Sequence, residues 1–459
     1  MVRGNHARPR TRQRSGVSTQ DFLADLRFRG LINQCTDEPG LAKHLSTPGR
    51  RAYVGFDPTA DSLTIGNLVG IVALRRWQDA GHHPVVVMGG GTGLIGDPSG
   101  KSAERQLRTR DEVNANVERQ KSIFRRLLRF DGPGITPPTV LNNADWLGAI
   151  SYLDALRDIG KHFSVNMMMA KDSVKERLHN RDQGISYTEF SYMILQAYDF
   201  AHLFEREGVT VQMGGSDQFG NIVVGIDLVR RMHGSEGPES HAFGLTWPLV
   251  TKSDGTKFGK TESGAIWLTA KHDDSDTSPN RTSPYQFYQF WLNTADADVV
   301  RFLKVFTLLS HDKINDLAAA HAAQPGARAA HTALAEHMTA LLHGEEELEK
   351  VKHAARALFA KPSADAPFSL PEEVLGSAPS SQHDRSLLSA DGIPIVDLLA
   401  LTTLVKSRTE ARTQLAQNAI SINGKPAAAD TRITPDMLLP GNLIALKRGK
   451  KTWHLTRWA

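Results

Sequence analysis

Residues 51–81 read RAYVGF (51–56), DPTADSLTIGN (57–67) and LVGIVALRRWQDAG (68–81). The first block is short and apolar, which predicts a buried strand. The second gathers Asp57, Pro58, Asp61, Ser62, Gly66 and Asn67, residue types that turn a chain. The third carries apolar residues at helical spacing. A strand, a turn and a helix in direct succession are the first half of a βαβ unit. Such a junction often holds phosphate, because unpaired N–H groups and the positive end of the helix dipole point at the ligand. No Walker-type lysine stands in this turn, so the cation has to come from elsewhere in the chain.

Working outward, HPVVVMGGG (83–91), TVLNNADW (139–146) and VTVQMGG (209–215) read as further buried strands, and DEVNANVERQKSIFRRLLRF (111–130) and SYMILQAYDFAHLFERE (191–207) as helices. The alternation predicts an α/β domain with a doubly wound parallel sheet, Rossmann-like, with its ligands beyond the carboxyl ends of the strands. This α/β domain is expected over 19–270, including the loop KFGKT, and a helical domain over 283–362. A Pro-, Ser- and Ala-rich linker is expected over 363–390, and a small α+β domain over 391–459, built from a helix pair, an Asn-Gly hairpin in ISINGKP and two strands. Residues 1–18 form a basic tail, with five arginines and no acid. That tail is expected to be disordered, or an over-long start or transit peptide; it lacks the apolar core of a secretory signal.

The 459 residues are 40% hydrophobic and 23% charged, which fits a globular chain with a sizeable core. No apolar run approaches the ~20 residues a membrane span needs. A single cysteine, Cys35, excludes an internal disulfide and a cysteine zinc site, and suggests a reducing, cytoplasmic setting. Net charge is only +4, but residues 391–459 carry ten Lys and Arg against five Asp and Glu. Basic ends on a near-neutral middle suggest a nucleic-acid partner.

Four further stretches carry chemistry. MGGGTGLIGDPSGKS (88–102) matches G-x-G-x-x-G, but Pro98 would break the helix a dinucleotide fold requires, and the spacing to Lys101 is one residue short of a Walker loop. What remains is a backbone-exposing loop with Asp97, Lys101 and Arg105 nearby. In YMILQAYD (192–199), Tyr192, Gln196 and Asp199 share one helical face among apolar neighbours. Such a stripe is either a satisfied internal network or the wall of a site for a polar ligand about 10 Å long, at ~1.5 Å of rise per residue. KFGKTESG (257–264) places Lys257 and Lys260 in a glycine-containing loop that can close on a triphosphate, although K-x-x-K alone is usually solvated surface. QMGGSDQFGN (212–221) is a strand end where Asp217 can bind a ribose hydroxyl.

Together with YVGFDPTADSLTIGN, KHFSVN and EFSYMILQAYDF, these stretches resemble the bacterial-type tyrosyl-tRNA synthetases, a branch of the class I aminoacyl-tRNA synthetases, from about residue 20 to the end. The resemblance implies activation of L-tyrosine with ATP to tyrosyl-adenylate plus pyrophosphate, then transfer of tyrosyl to the 3′-terminal ribose of tRNA(Tyr). It implies that Tyr53 and Asp199 meet the phenol OH, that Asp97, Tyr192 and Gln196 hold the ammonium, and that Gln218 lies near the carboxylate. Gly55, Asp57, Gly66, Asn67, Gly215, Asp217, Lys257 and Lys260 are expected around ATP. Thr59, Thr64, Asn67, Lys101, Arg105, Lys257, Lys260 and Thr261 are expected to act on its phosphates. Mg2+ is expected to arrive with the nucleotide, with no tightly bound protein metal. An S4-like RNA-binding tail and a homodimer are also implied. One departure is clear: the usual His-Ile-Gly-His signature reads Thr64-Ile-Gly-Asn67 here. It leaves two alternatives, a specialised or inhibitor-tolerant second copy of the enzyme and a catalytically silent tRNA-binding regulator.

Overall fold

The computed structural model describes residues 22–97, 107–171, 174–175, 184–234, 241–256, 258–261, 264–271, 276–359, 380–388, 391–449 and 452–459. The chain divides into two compact units, 1–269 with 291–342, and 270–290 with 343–459.

The first unit is built on a six-stranded sheet of β1 (Gln34–Cys35), β2 (Arg51–Phe56), β3 (His83–Met88), β4 (Thr139–Asn142), β5 (Val209–Gly215) and β6 (Phe243–Trp247). Their order is β1-β6-β5-β2-β3-β4, and all pairings are parallel except β1 with β6. The doubly wound sheet expected from the sequence is therefore present. The strand order reverses between β2 and β5, which opens a crevice at their carboxyl ends. Helices α1 (Phe22–Arg29), α2 (Glu38–Leu45), α3 (Leu68–Asp79), α4 (Arg110–Leu127), α5 (Tyr187–Glu207) and α6 (Phe219–His233) accompany the sheet. α4 opens on a capping box between Thr109 and Glu112. α5 ends at Gly208, whose φ of 61° lets the chain turn at once into β5.

Helices α7 (Pro284–Leu292), α8 (Asp296–Phe306), α9 (His311–Ala323), α10 (Ala329–His343) and α11 (Glu345–Phe359) follow. The carboxyl end of α8 is held by two buried arginines. Arg29 donates to the carbonyls of Lys304, Thr307 and Leu309, and Arg76 to those of Val305 and Thr307, at 2.8–3.0 Å. Asp25 lies between them, 2.7 Å from Arg29 Nε. Burial would raise the Asp25 carboxyl, but Arg29 and Arg76 overcome that and hold it low. Two guanidinium groups thus meet the negative end of a helix dipole.

In the second unit β7 (Ser380–His383), β8 (Ile420–Ile422), β9 (Lys425–Pro426), β10 (Leu443–Arg448) and β11 (Thr452–Trp458) form a five-stranded sheet in the order β9-β8-β10-β11-β7. The hairpin turn expected in ISINGKP is present: Asn423 and Gly424 have φ of 46° and 80°. The Asn423 amide donates to Met437 O at 2.6 Å and accepts from Ala445 N at 2.9 Å. Two boundaries differ from expectation. Residues 380–383, read as linker, pair in parallel with Leu455–Trp458, because hydrogen bonding to an exposed sheet edge needs no apolar pattern. Residues 343–359 group with the second unit, where Ala354 packs among Ala445, Trp453 and Leu455. The tail 1–18 lies outside the described residues.

Candidate active site

A cavity of ≈ 440 Å³ opens at the carboxyl ends of β2 and β5. Its walls come from Tyr53–Asp57, Thr59, Thr64, Gly66, Asn67, Asp97, Tyr192, Gln196, Asp199, Gln212–Gly215, Asp217 and Gln218. Tyr192, Gln196 and Asp199, the stripe on α5, line it together.

Asp199 is only 4% exposed. Asn143 Nδ2 donates to its Oδ2 at 2.9 Å and Trp146 Nε1 to its Oδ1 at 2.7 Å. Burial nonetheless pushes its carboxyl up to about 7, with the two hydrogen bonds pulling the other way and Asp57 adding to the rise. The Tyr53 hydroxyl, on β2, is buried against the same cavity and has no hydrogen-bond partner. Burial first, then the Asp199 charge, pushes its phenol up, so it stays a neutral donor. An unpartnered donor beside a half-satisfied carboxylate costs free energy unless a ligand completes it.

At the other end lies an amide chain. Gln218 Nε2 donates to Asp97 Oδ2 at 2.8 Å, Gln196 Nε2 to Gln218 Oε1 at 3.2 Å, and Asn221 Nδ2 to Gln196 Oε1 at 2.8 Å. Three expected substrate residues are thus in one network, with Asp217 at its rim, 3.4 Å from Gln218.

The turn 57–67 is closed by its own side chains. Asn67 Oδ1 accepts from the Thr64 N–H at 3.0 Å and from the Thr64 hydroxyl at 2.9 Å. The backbone donor fixes which end of the amide is oxygen. The Thr64 hydroxyl and N–H thus orient the Asn67 amide, with its oxygen turned toward Thr64. The turn is tied to the lysine loop. Ile65 N donates to Ile266 O, and Ile266 N donates to Gly259 O, at 2.9 and 3.0 Å. Gly259 has φ 81°, and a Cβ there would lie 2.5 Å from Ile65. Lys260 and Thr261 form a two-residue strand paired with Gly264–Ala265. Lys101, Arg105 and Lys257 lie outside the described residues.

Sequence reasoning missed the residues that hold this geometry. Asn116 and Gln120 on α4 donate to Pro58 O and Ala60 O at 3.0 and 2.8 Å, and so fix the turn 57–67 from behind. Asn143 also accepts from Gly91 N at 2.7 Å, so it couples the glycine loop to Asp199. Gln212 lines the cavity with a buried Oε1 that has no partner. The available signal was polarity: amides inside stretches otherwise read as core.

Comparison with known proteins places the chain. The family model for class I tRNA synthetases (W and Y) matches residues 47–360, and that for the tyrosine–tRNA ligase SYY-like C-terminal domain matches 377–456. The tyrosine–tRNA ligase of Bacillus caldotenax is 48% identical over 96% of this chain and 100% of its own length, and that of Geobacillus stearothermophilus is 47% identical over the same shares. A C-terminally truncated mitochondrial tyrosyl-tRNA synthetase of Aspergillus nidulans superposes with a TM-score of 0.64 at 30% identity, over 74% of this chain and 94% of that one. A parallel sheet that opens at its switch point, a signature turn held from behind and matches that run through both units have one reading: the chain belongs to the tyrosine–tRNA ligase family of class I tRNA synthetases.

Proposed function

We propose that the cavity binds L-tyrosine with its phenol OH between the Tyr53 hydroxyl and the Asp199 carboxylate, and activates it with ATP for transfer to tRNA(Tyr). The observation that carries this reading is the unpartnered Tyr53 hydroxyl beside a carboxylate that retains acceptor capacity. Asp97, Tyr192 and Gln196 receive the ammonium, and Gln218 lies beside the carboxylate. Across the cavity, ATP packs its adenine against Gly66, its ribose meets Asp217, and Gly55, Asp57 and Gly215 shape its bed.

The tyrosine carboxylate attacks the α-phosphate in line and expels pyrophosphate, and the tyrosyl group then passes to the terminal ribose. Neither step needs a dedicated protein base, so alignment and charge set the rate. Thr59 and the oriented Asn67 serve the phosphates, with Lys101, Arg105, Lys257, Lys260 and Thr261 as the family resemblance implies. Mg2+ arrives with the nucleotide and screens its charge.

The second unit grips tRNA through exposed basic residues such as Lys406, Arg412 and Lys425, mostly on phosphates. The working form is a homodimer, supported by exposed Tyr152, Leu153, Leu156, Val165, Met169 and Tyr187, a concentration of large apolar side chains unusual on a lone surface. No helix among the described residues is long and apolar enough to cross a membrane. The single cysteine supports a cytoplasmic setting.

Tyrosine-dependent ATP–pyrophosphate exchange tests the reading. Exchange with tyrosine and not with phenylalanine is the expected outcome; no exchange with any amino acid would leave a silent tRNA-binding protein instead.

A further inference from the structure

Outside the cavity, one cluster of ligating side chains among the described residues has the chemistry of a metal centre. Asp296 is the first residue of α8, His321 lies in the last turn of α9, and His331 lies in the first turn of α10. One ligand atom from each falls within 4.8 Å of the other two. We propose that Asp296, His321 and His331 bind one divalent transition-metal ion, of which Zn2+ is the expected occupant, with water at the open fourth position.

The donor set suits that class of ion. Two imidazoles and one carboxylate favour zinc and its neighbours over calcium or magnesium, which take oxygen ligands. The orientation of the rings argues for it independently. His321 Nε2 lies 3.2 Å from the Asp296 backbone carbonyl. A proton on Nε2 satisfies that carbonyl and leaves a lone pair on Nδ1, which is buried and has no partner. At His331, a fully buried ring, Nε2 lies 3.1 Å from Asp296 Oδ1, neither nitrogen is in a well-aligned hydrogen bond, and the Thr294 backbone faces the ring. Ligating histidines characteristically offer their second nitrogen to a backbone carbonyl or carboxylate, which fixes the tautomer and aims the lone pair. A tetrahedral ion at about 2.0–2.1 Å from each ligand holds the ligand atoms about 3.3 Å apart, so the present spacing needs only a small closing movement. Access is through Asp296, whose side chain is 63% exposed while His331 is sealed. The neighbouring Arg328 does not fill the position; its guanidinium is committed to the Leu292 carbonyl. The ion would tie together the ends of three successive helices that share no disulfide or other covalent link.

A structural His–Asp pair would give the same packing without binding an ion, and the test separates the two. The full-length protein is stripped with a chelator, and Zn2+ binding is measured by competition against a chromophoric chelator. Thermal unfolding with and without Zn2+ follows, and Co2+ is used as a spectroscopic stand-in. The expected result is one ion per chain, a Tm raised by Zn2+, and Co2+ absorption bands of a four-coordinate site. His321→Ala and Asp296→Asn should each weaken binding by about 10–100-fold and abolish the Tm rise. Both sit on the open side, so the folds should survive; tyrosine-dependent exchange at the wild-type rate checks that they do. Cys35→Ser should bind as the wild type does. Absence of stoichiometric binding, or binding that neither His321→Ala nor Asp296→Asn weakens, overturns the proposal.

Discussion

Asp199 is a buried carboxylate held at a cost to stability. Its ordinary value is 3.8 and burial carries it to about 7 in the folded chain. Between those values the folded state binds more protons than the unfolded state, so the contribution of this residue to stability falls as pH rises and levels off above about 7. The stability difference between wild type and Asp199→Ala, read by urea unfolding, should therefore shift by a few kcal/mol in favour of the variant from pH 4 to pH 7. In exchange assays the same variant should lose roughly 10–100-fold of its preference for tyrosine over phenylalanine, since the acceptor proposed for the phenol OH is gone. Intact selectivity would refute the phenol assignment. Asn67→Ala should lower the exchange rate by about 100-fold and Thr64→Val by much less, because the Thr64 N–H still orients the amide. Tyr53 came only from the family resemblance, while the shared helical face of Gln196 and Asp199 was legible in the sequence. That Asp199 leans on Asn143 and Trp146 was not, since those residues come from a segment more than fifty positions away.

At the scale of elements, strands and helices were legible because apolar periodicity carries them. The glycine loop was only half legible. Its first residues look like a phosphate cradle, but their smallness answers to packing: a Cβ on Gly90 would lie 2.1 Å from Asn142 Oδ1, and one on Gly89 would lie 2.7 Å from Asp57 Oδ1. The polar face of α4 was equally opaque, because a buried amide looks like any surface amide until its acceptor is known. The arginine clamp on α8 is a tertiary device of the same kind. Arg29→Ala should destabilise the chain by about 3 kcal/mol in denaturant titrations, because it removes the closest partner of the half-buried Asp25 and leaves the Leu309 carbonyl without its donor.

For the whole molecule, charge placement is the readable quantity. The acid-poor C-terminal region pointed to a polyanionic partner before any fold was known. Reversing Lys406, Arg412 and Lys425 to Glu together should weaken tRNA binding and flatten its salt dependence, while tyrosine-dependent exchange stays unchanged. Loss of exchange in parallel would show that the surface acts through the cavity instead. The strand 380–383 escaped sequence reading because Ser-Ser-Gln-His carries no apolar alternation, although its backbone pairs with the sheet edge. The Asn423-Gly424 turn also sets a limit on how long a molecule lasts. Asparagine before glycine is chemically perishable and slowly loses its amide nitrogen as ammonia. Here that nitrogen is the group that donates to Met437, so the aged side chain would turn an oxygen toward another oxygen and work the β-ribbon loose from within.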